Sequence, residues 1–133
     1  METLATIREF KTRNFRVIID AIPEYFPDLS WDETGEVSEK INAGEYWVFC
    51  ARARVIHNEL GEIASDYLGE CIYDSPDAFQ DHRECAAYTR KLREQGSHAI
   101  CGSYFADMVR TVCTEARKDI NYRNNQYIPI RAV

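Results

Sequence analysis

The stretch "EYWVFCARARVIH", residues 45–57, decides the fold. Trp47, Phe49, Ala51, Ala53 and Val55 alternate onto one face, and that face is wholly apolar. Tyr46, Val48, Cys50, Arg52, Arg54 and Ile56 take the other. A period of two is that of a strand with one face toward a core. Trp and Phe bury large areas, so the apolar face is expected to meet helices. Arg52 and Arg54 are expected side by side on the second face, paired with carboxylates of a neighbouring strand, Asp66 or Glu70.

Such a strand needs a partner for its backbone groups. In "NELGEIASDYLG" (58–69), Leu60, Ile63, Ala64, Tyr67 and Leu68 fall at helical spacing between Asn58 and Gly69. Gly61 weakens that helix, and "ECIYD" (70–74) reads as β. The preferred reading is a turn around Asn58–Gly61 and a returning strand, a hairpin over about 45–73.

Helices are expected on either side. Phe15, Ile18, Ile19 and Ile22 stand at i, i+3, i+4 and i+7, with Asn14 as N-cap and Pro23 as the stop. "PEYFPD" (23–28) then turns, with Tyr25 and Phe26 expected to fold back onto the core. Val37 and Ile41 allow a short helix that Gly44 ends. Ser75, Pro76 and Asp77 open another, which Arg90, Lys91, Arg93 and Gly96 close. In the strongest, Phe105, Met108, Val109, Val112, Ala116 and Ile120 line one face, joined by Cys113, with Ser103 as cap. The tail adds an edge strand at Tyr127–Arg131, where Pro129 is tolerated. The expected architecture is one α+β domain over 1–133: a small antiparallel sheet with helices packed on one face.

The chain has 133 residues, 45% hydrophobic and 29% charged, a composition ordinary for a soluble globular domain. No apolar run approaches the roughly 18 residues that span a bilayer. "METLATIREFKTRNF" (1–15) is charged throughout and lacks the apolar core of a secretory signal, so a cytoplasmic location is expected. Cys50, Cys71, Cys85, Cys101 and Cys113 are odd in number and form no Cys-x-x-Cys pair, which fits a reduced compartment.

Two constellations compete for function. His82-x-x-Cys85 and His98-x-x-Cys101 imitate the spacing of a small zinc site. His82 and Cys85 would lie mid-helix, however, and each pair is mixed. Cys101 precedes a helix N-terminus, where the dipole lowers a thiol pKa, and His98 or His57 would serve as base. No third orienting residue is evident. These four residues define the alternative reading, a metal-binding module or cysteine-dependent enzyme. Phosphate-binding motifs are absent, and Arg52 and Arg54 with Arg90, Lys91 and Arg93 make at most a small basic spot.

The charge distribution favours the other constellation. Residues 24–45 carry a net −6, the formal charge of the entire chain. A concentrated acidic field repels nucleic acid and attracts a basic surface. Direct nucleic-acid binding through it is not expected, because phosphate contacts require Lys and Arg. Trp31 and Tyr46 stand within or beside it, and aromatics among carboxylates suit an interface core with a charged rim. The expected partner-binding residues are Trp31, Asp32, Glu33, Glu36, Glu39, Glu45 and Tyr46.

At "YWVFCARARVI" (46–56), "DYLGECIYDS" (66–75) and "GSYFADMVRTVCTEARK" (102–118) the sequence resembles small accessory proteins carried by phages and mobile elements of proteobacteria. The resemblance runs over roughly 14–119, in hydrophobic and turn pattern, and carries no functional residue across. It implies an inhibitor of host defence. Anti-CRISPR proteins belong to that group, and many are acidic and occupy nucleic-acid-binding surfaces. The expected function is therefore a non-enzymatic acidic binding protein, without cofactor, that blocks a basic nucleic-acid-binding surface such as that of a CRISPR effector. No membrane partner is expected. A third reading is a structural homo-oligomer, simplest as a homodimer.

Overall fold

The structure is a computed structural model that describes residues 2–80, 94, 96 and 104–126. The alternation in the opening stretch is realised as strand β3, Trp47–His57, and its return strand β4 is Gly61–Tyr73. The two pair antiparallel from Trp47↔Tyr73 to His57↔Gly61, so the hairpin reading holds. Ahead of them lie β1, Ala5–Lys11, and β2, Phe15–Pro23. The sheet is antiparallel throughout, in the order β1-β2-β3-β4. The described helices are α1, Glu36–Asn42, a 3-10 turn at Pro76–Gln80, and α2, Tyr104–Asn125. The α+β class expected from the sequence is the class observed.

One sheet face forms the core. Phe15, Ile19, Ala21, Phe49, Ala51, Ala53 and Val55 are buried there against Met108, Val112, Ala116 and Ile120 of α2. The latter four recur every four residues and make one stripe of the helix, as its periodicity predicts. Ala51 and Ala53 are small and leave room for α2, which lies over β3 and β4. Phe79 of the 3-10 turn closes one end, in edge contact with Phe49, Tyr73 and Phe105.

Residues 15–22 are a correction: they form a central strand, not a helix. Phe15, Val17, Ile19 and Ala21 face the core, whereas Ile18, Asp20 and Ile22 point the other way and are also buried. A strand buried on both faces reads as a continuous apolar run, and such a run contains i, i+3, i+4 by default. Asn14 caps no helix; its carbonyl accepts the Asn58 amide at 3.0 Å, tying the β1–β2 turn to the β3–β4 turn.

The arginine pairing is corrected with it. Arg52 and Arg54 do stand together on the face away from α2, but their carboxylate is Asp20 of β2. Arg52 grips it with Nε at 3.0 Å and Nη2 at 2.8 Å, and Arg54 Nη2 adds a third bond at 3.2 Å. Asp66 pairs with Ala53 and so lies on the core side of β4, while Glu70 sits in a bulge. Arg54 only approaches Glu62, at 4.0 Å.

The β3–β4 turn is held from beneath by His57, which is 1% exposed. Its Nδ1 accepts the Glu59 and Leu60 amides at 3.0 and 3.3 Å, which places the ring proton on Nε2. The ring stands edge-on to Phe15, centroids 4.9 Å apart. His57→Phe keeps the ring and loses both bonds, and is expected to cost about 1 kcal/mol. A denaturant midpoint equal to that of the parent would deny His57 this role. Residues 81–93 of the expected helix, the four His and Cys residues of the alternative site, and the Tyr127–Arg131 edge strand lie outside the described residues, while Glu94 is helical and Gly96 takes φ 79.

Candidate functional site

Between β2 and β3 the chain leaves the sheet for the acidic segment, and its first turn is pinned at two points. Near the end of β4 one extra residue bulges between Leu68 and Cys71, with Glu70 at φ 56. The Glu70 amide donates to Glu24 Oε2 at 3.1 Å, and Glu70 Oε1 accepts the Asp28 amide at 2.7 Å. A side chain at position 69 would approach Glu24 Oε2 to 3.0 Å, which suits the glycine found there. Residues 24 and 28 are thus both clasped to one residue of β4.

Tyr25, Phe26 and Pro27 project between the clasps. Tyr25 is 72% and Phe26 92% exposed, so the expectation that they fold onto the core is wrong. Glu24 and Asp28 are fastened to the sheet rim on either side, and the core face is already filled by α2 and Phe79. An aromatic pair whose backbone is held on both sides loses less entropy on docking than one on a free loop, which suits an interface anchor. The sequence offered one sign of it, an aromatic pair between two prolines with no periodicity.

Trp31 follows, 57% exposed, its Nε1 donating to the Asp28 carbonyl at 3.1 Å. Asp32 turns inward. Its carboxylate accepts the Ser38 amide and the Ser38 hydroxyl, both at 2.9 Å, and the Val37 amide at 3.4 Å. It thereby serves as cap for α1 from outside the helix. Gly44, at φ 78, closes the other end, where the Glu45 amide reaches the Lys40 carbonyl at 2.9 Å.

Glu33, Glu36, Glu39 and Glu45 are exposed and make no side-chain hydrogen bond or close ion pair among the described residues. Tyr46 is half-buried under Lys40, whose ammonium lies 5.2 Å from the ring centre. The hydrogen bond to Tyr46 holds the Lys40 pKa up. Of the expected contact residues, Trp31 and the four glutamates therefore face solvent, whereas Asp32 and Tyr46 serve the scaffold. Tyr25 and Phe26 join the surface.

The Ser38 amide, first among its contacts, holds the Asp32 carboxyl below its usual 3.8. A depressed acid contributes stability above its unfolded pKa and loses it as pH falls through the folded one. Helix α1 buries no residue and is too short to persist alone. Asp32→Ala, or acidification below 3.8, should therefore release the amides of 36–42 to exchange while β2 and β3 stay protected. Hydrogen exchange by NMR checks this; unchanged protection in 36–42 would contradict it.

Comparison with protein-family models, with curated proteins and with solved structures gave no significant match.

Other chemistry is sparse among the described residues. No group of His, Cys, Asp and Glu there is arranged to hold a metal. Cys71 is buried; Cys50 and Cys113 are half-buried. Burial pushes the Cys50 thiol up, the wrong direction for a nucleophile. No described helix is long and apolar enough to cross a membrane.

Proposed function

We propose that this chain is a non-enzymatic binding protein that covers a basic, nucleic-acid-binding surface of a partner complex. The observation that carries the reading is the clasped Tyr25–Phe26 pair beside four exposed glutamates in one segment of net −6. The aromatics supply a desolvated anchor, and the glutamates supply the rim. The field of the segment speeds encounter with Lys- and Arg-rich surfaces and disfavours acidic ones. The resemblance to phage and mobile-element accessory proteins gives the partner its class: a host complex that handles nucleic acid, a CRISPR effector among them.

The chain, immobilised and exposed to nuclease-treated host lysate, is expected to retain a nucleic-acid-binding complex that elutes as salt rises. Rim charge pairs are screened over about 10 Å at 0.1 M salt, so the elution should be steep. Retention of nucleic acid itself, or of nothing sensitive to salt, would overturn the reading.

A further inference from the structure

The Tyr25–Phe26 pair has a counterpart on the same molecule. An apolar groove of about 400 Å³ runs between β1 and α2, floored by Phe10, Phe105, Val109 and Cys113 and edged by Arg110 and Arg117. Arg8 stacks on the Phe10 ring at 5.2 Å and adds a third cation at that end. Arg110 is partly occupied by Asp107 at 3.1 Å, and Arg117 makes no ion pair among the described residues. The groove is apolar with a basic rim. The clasped turn is apolar with an acidic rim, carrying Glu24 and Asp28.

We propose that a second copy of this chain seats its Tyr25–Phe26 pair in this groove. The groove's own copy does not supply it. The turn is clasped to β4 and the groove is built on β1, three strand spacings or roughly 14 Å away. Along β2, Pro23 stands six residues beyond Val17, the partner of Phe10, or roughly 20 Å further. Turn and groove thus occupy opposite corners of one copy, and two copies related by a two-fold axis can exchange turns reciprocally. Two aromatic side chains bury about 300–500 Å² per contact, so a reciprocal pair buries roughly 600–1,000 Å² from its turns, the size of a weak, transient interface. Association is expected to be weak and reversible, and weaker still as salt rises. The dimer hides the turn, so self-association and partner capture exclude one another. The proposal stands on the groove and turn alone and needs no partner.

Sedimentation of the pure full-length chain across roughly 1–500 µM tests it. Parent protein should pass from monomer to dimer. Phe26→Ser, which lacks the anchor, and Arg117→Glu, which inverts the rim, should each dimerise at least 10-fold more weakly. Both positions are exposed, so both variants should fold. Mixed in equal parts they should recover one of the two contacts, because the first variant keeps its groove and the second its turn. A parent that stays monomeric, variants that dimerise like the parent, or a mixture no better than its components would each overturn the proposal.

Discussion

Asp20→Ala should lower the stability of this protein by about 3–5 kcal/mol, the range for removing one partner of a buried ion pair. Asp20 is 1% exposed and accepts three bonds from Arg52 and Arg54, with the Thr3 hydroxyl donating a fourth at 3.4 Å. The Arg52 side chain is 8% exposed, and its Nη2 also reaches Thr3 Oγ1 at 3.2 Å. The bond to Asp20 holds the Arg52 pKa above its usual value, so this guanidinium stays charged. Without Asp20 the Arg52 guanidinium has no carboxylate among the described residues and Arg54 keeps only Glu62, at 4.0 Å, while Arg54 Nε is already buried without a partner there. In thermal unfolding the midpoint should fall by roughly 10–20 °C. Replacing Asp20, Arg52 and Arg54 together by apolar residues of similar size should cost much less, because no charge is then stranded. A single variant as stable as the parent would show that the cluster does not hold β2 to β3.

Glu33→Lys, Glu39→Lys and Glu45→Lys combined should weaken partner binding about 100-fold at low ionic strength. Each exchange adds two charges, so the three bring the chain from −6 to neutral. All three side chains are exposed and make no side-chain hydrogen bond among the described residues. Asp32 and Glu36 remain to hold and polarise the start of α1. The fold should therefore be unchanged by circular dichroism while affinity and its salt dependence fall together. The gap between parent and variant should narrow as salt rises. Equal affinity at all salt concentrations would mean that the acidic rim makes no contact.

Strand β3 and α2 were legible because each turns one apolar stripe to the core at one period, whereas the return strand 61–73 shared its spacing with a helix and was read from Gly61 and "ECIYD". Trp47 to Val55 alternate, and Met108, Val112, Ala116 and Ile120 recur by four. Strand β2 was not legible, because burial of Ile18 and Ile22 on its second face fills in the alternation and imitates a helix. The partner of Arg52 and Arg54 was misplaced for the same reason, since Asp20 reaches them only if 15–23 is a strand. The glutamates of the candidate surface could be read from charge alone. The exposure of Phe26 could not, because it depends on the Asp28 amide meeting a carboxylate 42 residues away. Capping by Asp32 was hidden in a similar way, behind a cap that reaches six residues forward to Ser38.

Competition on the purified partner tests the central claim most directly. With the complex retained from lysate held at fixed concentration, its affinity for a labelled nucleic acid is measured as this chain is added. The account predicts that the nucleic acid is displaced in proportion to chain bound, that Phe26→Ser and the triple-lysine variant displace it poorly, and that the effect fades with salt. Nucleic acid that stays bound while the chain occupies the same complex would contradict it.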